Sequence, residues 1–400
     1  MYKIFNNKSF CSGCTACVNI CPKNAISMEK DESGNLFPII DKKKCTNCGL
    51  CEKTCAFKKT NYKREDKNCY AAYTKKDNLL LKSSSGGIFS SFAEKFLNEG
   101  GYVCGCALSY NNEEIKIEHI IINDIKDLYK LQGSKYVQSN ISNVMKKIKE
   151  LLNENKKVLF SGTPCQVAGL KSFLRKDYNN LYTIDIICHG VLNLNIFQEY
   201  IKFLEIKKKI KITNIVFRDK VKSKTTYGTG FYSGYKMSDK SRYKKIFANN
   251  ESSYYYLFQK GYMYRENCYS CPYASDNRPG DITIGDYWGI EKEHPELLEK
   301  NKKGISCLIV NNNKGEELLD LYGDEIYKVK SSFEKIQRNN DQLQHPTIEP
   351  KDNKRLLELY KNNGYAAVEK EFINIIGKKT LIKNKIKNRI KPIIKKILHK

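Results

Sequence analysis

The sequence predicts two folded units of different class, a small α+β module at the amino terminus and a larger mixed α/β domain behind it. Three observations lead there. Eight of the 16 cysteines fall between residues 11 and 55, in two runs of the same spacing. The segments "KKVLF", "CQVAGLKSFL" and "LYTIDIICHG", within 156–190, read as strand, helix and strand with the crossover length of a parallel unit. With 400 residues and 40% hydrophobic content, the chain has enough material for two or three domains and at least one real core.

The amino-terminal runs are "CSGCTACVNICP" (11–22) and "CTNCGLCEKTCA" (45–56). Both read C-x2-C-x2-C-x3-C, the spacing of two-cluster ferredoxins. Three thiolates two residues apart wrap one corner of a cubane, while a short helix carries the fourth toward the other cluster. One [4Fe-4S] cluster is therefore expected on Cys11, Cys14, Cys17 and Cys55, and a second on Cys45, Cys48, Cys51 and Cys21. Pro22 follows the first run and Ala56 the second, which alters loop stiffness but removes no ligand. Two structural zinc sites are the alternative, although zinc usually pairs two C-x2-C knuckles. Residues 1–58 form this ferredoxin-like module, and the polar stretch 59–68, "KTNYKREDKN", reads as a linker.

Composition narrows the classes. Cysteines this tightly spaced do not suit a disulfide scaffold, and neither a signal peptide nor an apolar run of about 18 residues is present, so a cytoplasmic protein is expected. The formal charge of +26 is spread over a chain also rich in Asn, Ile and Tyr. That is a general bias, and no nucleic-acid partner is expected.

The larger domain is expected over 69–345, in an amino-terminal part (69–150) and a carboxyl-terminal part (151–345). "SSSGG" (83–87) precedes the amphipathic pattern Ile88, Phe89, Phe92, Phe96 and Leu97, and "GYVCGCAL" then reads as a strand. Small residues before a helix suit an anion, so Ser84, Ser85, Gly86 and Gly87 are candidates for cofactor phosphates or a simple serine cap. "LQGSKYVQSN" (131–140) sets Ser134 and Lys135 beside a turn, where Lys135 either neutralises a phosphate or is one more surface lysine. Cys104 and Cys106 share one side of their strand as core or packing thiols, the alternative being that they face substrate.

The parallel unit puts Cys165 and Cys188 near the carboxyl ends of neighbouring strands, the functional edge of such a sheet. "YRENCYSCPYA" adds Cys268 and Cys271. Four thiolates are the complement for a third [4Fe-4S] cluster; a structural zinc, a Cys268–Cys271 dithiol and unlinked buried thiols are the alternatives. His189 is placed to donate a hydrogen bond to a cluster sulfur or a flavin.

From about 70 to 310 the chain resembles the coenzyme F420 hydrogenase/dehydrogenase beta-subunit family. The matching pieces are "SSSGG", "GSKY" (133–136), "GTPCQVAGL" (162–170), "DIICHG" (185–190) and "CYSCPYASDNRPGDITIGDYWG" (268–289). The resemblance implies a noncovalent flavin, FAD or FMN, beside a [4Fe-4S] cluster. It places Ser85, Gly86 and Gly87 in the flavin segment, Lys135 in a second nucleotide-proximal motif, the cluster on Cys165, Cys188, Cys268 and Cys271, and Asp286 as a structural or flavin-proximal carboxylate.

A flavin handles electron pairs and single electrons, so the expected protein is an oxidoreductase. Electrons would pass from a low-potential donor such as ferredoxin, through the clusters and the flavin, to a small-molecule acceptor, or in reverse. The alternative is a non-catalytic subunit relaying electrons to a catalytic partner. Residues 227–264, rich in Tyr and Lys, read as a lid or partner surface. The region 346–400 reads as a helical basic tail. Its last 23 residues hold ten Lys or Arg and no acid, with isoleucines at helical spacing that would suit peripheral contact with an anionic membrane, partner docking or a plain solvated end.

Overall fold

The computed structural model describes residues 4–5, 7–58, 60, 62, 68–111, 114–220, 229–247, 251–300, 303–377, 380 and 382. The amino-terminal module contains α1 (Ala16–Ile20), the antiparallel hairpin β1 (Ile26–Lys30) and β2 (Leu36–Ile40), and α2 (Leu50–Lys53). Each short helix follows a left-handed residue, Thr15 (φ 60°) or Gly49 (φ 74°), which lets the chain turn sharply between cysteines.

The larger domain is built on eight strands. They are β3 (Cys69–Thr74), β4 (Tyr102–Asn111), β5 (Glu114–Ile122), β6 (Val158–Gly162), β7 (Leu181–Ile186) and, after an intervening subdomain, β11 (Ile282–Asp286), β12 (Ser306–Val310) and β13 (Ile326–Ser331). The order across the sheet is β13-β3-β12-β11-β7-β6-β4-β5. Strands β11, β7, β6 and β4 run parallel, and the outer pairings are antiparallel.

Period-two alternation assigns the two faces. Val103, Leu159 and Ile184 pack on α3 (Ile88–Asn98) and α8 (Asn313–Tyr322). Cys104, Val158 and Phe160 pack with α4 (Met145–Asn153) and α5 (Pro164–Leu174). Helix α5 starts at Pro164 because Thr163 and Gln166 form a capping box, with proline at the position that needs no amide. Ala16 and Cys14 join this second face, so the amino-terminal module is seated on α4 and α5.

The intervening subdomain comprises α6 (Leu194–Lys208), the antiparallel strands β8 (Ile210–Asp219), β9 (Thr229–Lys236) and β10 (Arg242–Phe247), and α7 (Ser253–Gln259). Here the structure departs from the reading of 227–264 as a lid or partner surface. Tyr232, Tyr254, Tyr255, Phe258 and Tyr264 are buried in one aromatic core. The hydroxyls of Tyr254, Tyr255 and Tyr264 donate to internal carbonyls, as in Tyr254 Oη to the Tyr136 carbonyl at 2.7 Å, so tyrosine serves as a core residue. Helix α9 (Asn353–Ile376), broken at Gly364 (φ 68°), completes that core with Leu356, Tyr360, Tyr365 and Val368. Apart from Thr380 and Ile382, the basic stretch 378–400 lies outside the described residues. Among the described residues no helix is long and apolar enough to cross a membrane.

Candidate functional site

The carboxyl ends of β6, β7 and β11 open into a cavity of about 470 Å³, within the size range of small-molecule and cofactor sites. Its wall includes Ser84, Ser85, Gly87, Ser134, Lys135, His189, Asp286 and all four of Cys165, Cys188, Cys268 and Cys271. Residues separated by up to two hundred positions thus meet in one place.

Cys165 is the second residue of α5, its Sγ 3.2 Å from Thr163 Oγ1. Strand β7 stops at Ile186, so Cys188 sits in the turn beyond it, and Cys268 and Cys271 come from the 3-10 turn Glu266–Ser270 and its end. Burial pushes Cys188 up to about 12 and Cys271 up to about 11, with Cys165 raising both. Cys268 is raised by burial and then by Cys188, Cys271 and Cys165. These four half-buried thiols, three of them raised further by their neighbours, favour a cation among them if they are to become thiolates. Among the described residues, no three His, Cys, Asp or Glu side chains close on a single metal ion. A cubane asks each thiolate for a different iron, so this donor set fits a [4Fe-4S] cluster.

The buried pair Arg278 and Asp185 fastens two of the cysteine-bearing turns. Arg278 Nη2 donates to Asp185 at 2.6 Å and to the Ile186 carbonyl at 2.9 Å, and Nη1 donates to the Tyr273 carbonyl at 2.6 Å. Asp185 also accepts from the Gly280 amide and Thr283.

In the amino-terminal module Cys14 is pushed up to about 12 by burial, with Cys55, Cys11 and Cys165 adding to the effect. Cys17 is raised by burial and then by Cys14, Cys11 and Cys55. Cys21, Cys45, Cys48 and Cys51 surround a second, small cavity. Amides donate to two of these sulfurs, Ala25 to Cys21 at 3.3 Å and Asn47 to Cys45 at 3.5 Å, as suits thiolates holding a cluster. The modules meet at Gly169, one turn along α5 from Cys165. A methyl built there would lie 2.8 Å from Cys14 Cβ and 3.0 Å from its sulfur.

The Ser-Gly-Gly loop is anchored from several sides. Ser84 accepts from Ser134 at 2.8 Å, joining the two glycine-containing motifs. Ser85 Oγ donates to the Ile305 carbonyl at 3.1 Å, and the Gly86 amide donates to Ser306 Oγ at 2.8 Å. Gly87, at φ 79°, caps α3 in a conformation that favours glycine. Lys220 donates to the carbonyls of Leu80 and Ser85, and burial, with Arg218 nearby, pulls its ammonium down to about 7.

Two site residues differ in detail from the sequence reading, while Asp286 stands where a structural or cavity-facing carboxylate was expected. Lys135, pulled down to about 8 by burial, spends its ammonium on the carbonyls of Lys130 and Gln132 at 3.2 and 2.8 Å. His189 is lowered to about 4 by burial and is neutral. Its Nδ1 lies 2.7 Å from the Tyr264 hydroxyl, whose proton goes to the Phe258 carbonyl. That order suits the tautomer with its proton on Nδ1, which leaves Nε2 as the ring's acceptor. Asp286 is held by two bonds from Arg218, at 2.7 and 3.1 Å.

Sequence reasoning missed Arg218, Arg265 and His119. His119, opposite Cys106 on β5, lines the cavity while donating to the Ser161 carbonyl at 2.9 Å and meeting Ser139 at 3.0 Å. Cys104 is core and Cys106 reaches the cavity wall. For Arg265, the signal was a lone basic residue three positions before Cys268.

Family comparisons agree with the arrangement. The model of the coenzyme F420 hydrogenase/dehydrogenase beta subunit matches residues 69–146 with its N-terminal part and 155–334 with its C terminus. The chain belongs to this beta-subunit family. A 4Fe-4S dicluster domain matches residues 10–59, so the beta-subunit domain follows a module able to bind iron-sulfur clusters, and the chain has an iron-sulfur electron-transfer role.

One relative of this beta-subunit family chain is a coenzyme F420-dependent sulfite reductase of Methanocaldococcus jannaschii, 24% identical over 311 residues; the match takes in 77% of this chain but only 45% of that protein. A methylamine utilization ferredoxin-type protein of Methylophilus methylotrophus is 49% identical over 47 residues, 10% of this chain and 21% of its own. The chain thus spans less than half the length of the curated relatives it matches. Among solved structures, a chain of the F420-reducing [NiFe] hydrogenase complex from Methanosarcina barkeri aligns with a TM-score of 0.43 and 15% identity over 78% of this chain and 94% of its own.

Proposed function

We propose that the protein is an iron-sulfur flavoprotein oxidoreductase that moves electrons between a low-potential donor such as ferredoxin and a small-molecule acceptor, in either direction. The observation that carries this reading is the shared cavity: four thiols form part of the wall that also holds the Ser-Gly-Gly loop, and α5 links those thiols to Cys14 of the amino-terminal module.

Cys11, Cys14, Cys17 and Cys55 would hold one [4Fe-4S] cluster, Cys21, Cys45, Cys48 and Cys51 a second, and Cys165, Cys188, Cys268 and Cys271 a third. Ser84, Ser85, Gly86, Gly87 and Ser134 would hold FAD or FMN. Such clusters carry single electrons, and a flavin exchanges electrons singly or as a hydride. The chain's own part is positioning. Arg278 and Asp185 fix the turns that carry Cys188 and Cys271, Lys220 and Ser306 fix the phosphate loop, and Arg218 holds the Asp286 carboxylate in place at the cavity wall. His189 offers Nε2 as an acceptor for a proton or hydroxyl in the cavity. The name of the M. jannaschii relative makes coenzyme F420 and sulfite the first partners to try.

The test is anaerobic purification with iron, acid-labile sulfide and flavin measured per chain. About twelve iron, twelve sulfide and one flavin are expected. About eight iron and no flavin, after full loading, would overturn the reading of the larger domain. Turnover of an acceptor by the purified chain alone then separates an enzyme from a relay subunit.

A further inference from the structure

Arg265 lies between the first and third cysteine sets and is 1% exposed. Its backbone belongs to the turn of the third set: its amide donates to the Val191 carbonyl at 3.0 Å, and its carbonyl accepts from the Cys268 amide at 2.8 Å. Its side chain belongs to the amino-terminal module. Nε donates to the Cys11 carbonyl at 2.7 Å, and Nη2 donates to the Leu36 carbonyl at 2.8 Å and reaches Cys11 Sγ at 3.5 Å. The guanidinium also lies 4.3 Å from the Phe37 ring centre.

Two features are unusual. Nη1 is buried with no hydrogen-bond partner among the described residues. It sits 3.3 Å from a methyl built on Gly13, in the loop joining Cys11 to Cys14. The other feature is charge. Every bond that Arg265 makes goes to a carbonyl or to sulfur, whereas a cation taken out of water ordinarily needs an anion beside it.

We infer that Arg265 is the fixed countercharge of the junction between the two cysteine sets, and that it answers the net negative charge of the iron-sulfur cluster on the Cys11 set. Its spare Nη1 would be the donor left over for that cluster. Because reduction adds one negative charge, the guanidinium favours the reduced state and raises the reduction potential there. With both clusters bound, an electron crossing the junction would oxidise one by one electron and reduce the other by one, with no bond broken and no further reactant needed. Arg265 is a positioning and tuning residue. The inference rests on reading the two sets as cluster ligands.

The experiment is an EPR-monitored redox titration of holoprotein carrying Arg265→Gln or Arg265→Lys, with iron and sulfide counted in each preparation. Arg265→Gln is expected to lower one couple by at least the equivalent of a tenfold change in its reduction equilibrium, about 59 mV for one electron, while Arg265→Lys restores most of it. Full loading with unmoved couples overturns the inference, as do equal shifts in both variants, which would make the residue a strut. Should Arg265→Gln lose a cluster, retention in Arg265→Lys supports the inference, since charge separates the two, and loss in both overturns it. About eight iron in the unaltered protein defeats the parent reading and this one together; about twelve with unmoved couples defeats this one alone.

Discussion

Replacing Gly169 by alanine tests whether the two modules meet where the structure has them meet. In the interior of an unhindered helix this change stabilises by about 1 kcal/mol, because glycine loses more backbone freedom. Gly169 is not unhindered. Its new methyl would lie 2.8 Å from Cys14 Cβ and 3.0 Å from Cys14 Sγ, where carbon contacts normally relax to about 3.5–4.0 Å. Both neighbours are short and backbone-anchored, so α5 or the Cys11–Cys17 loop must move by most of an ångström. Overpacking of that kind costs about 1–3 kcal/mol, which outweighs the helix gain and leaves a net loss of up to about 2 kcal/mol. The assay is the apparent melting temperature of anaerobically purified protein, where 1 kcal/mol corresponds to about 2–4 °C in a domain of 150–250 residues. Cluster content should fall as well, since Cys14 is displaced. The reasoning is refuted if Gly169→Ala melts higher than the unaltered chain with its iron unchanged.

Other substitutions probe the rest of the site. Gly86→Ala would drive a methyl into the Ala72 carbonyl and within 2.7 Å of the Ser306 amide, so bound flavin should be lost; retention of one flavin per chain would remove the loop from the cofactor site. Arg278→Met strands Asp185 in the core, with an expected cost of about 3–5 kcal/mol and a sharp fall in soluble yield, and an unchanged melting temperature would contradict the fastening role. Burial pulls His119 from its usual 6.5 to about 4 and does the same to His189. Between those values the unfolded chain takes up protons that the folded chain refuses, so this stability is complete above about pH 6.5 and is lost as the pH falls toward 4. His119→Gln should flatten the melting temperature over that window, and an equally steep decline would rule out His119 as a contributor.

The cysteine spacing and the 156–190 segment made the module and the parallel unit legible, because both depend on contacts close in sequence. Period-two and period-3.6 patterns place β6, α5 and β7 within a few residues of their observed bounds. The Tyr-rich segment misled because tyrosine reads as a wet surface residue until its hydroxyl finds an acceptor, and Tyr254 finds one at Tyr136, 118 positions away. Arg218 and Arg265 were invisible for the same reason: the partners Asp286 and Cys11 lie 68 and 254 positions distant. His189 could be located but not given a donor or acceptor role, because that depends on the proton order through Tyr264 to Phe258.

The strand order also sets a timetable. Strand β3, the first of the large sheet to be synthesised, pairs only with β12 and β13, the last two. At about 5–20 residues per second, β3 waits roughly 10–50 s before residues 306–331 exist to receive it. The amino-terminal cysteines, complete by Cys55, leave the ribosome long before Cys271 does. The cysteines proposed as cluster ligands therefore become available in stages along the growing chain. The module has all of its cysteines before α4 and α5, the helices that seat it, are made, and Cys271 joins the cavity wall only after both are in place.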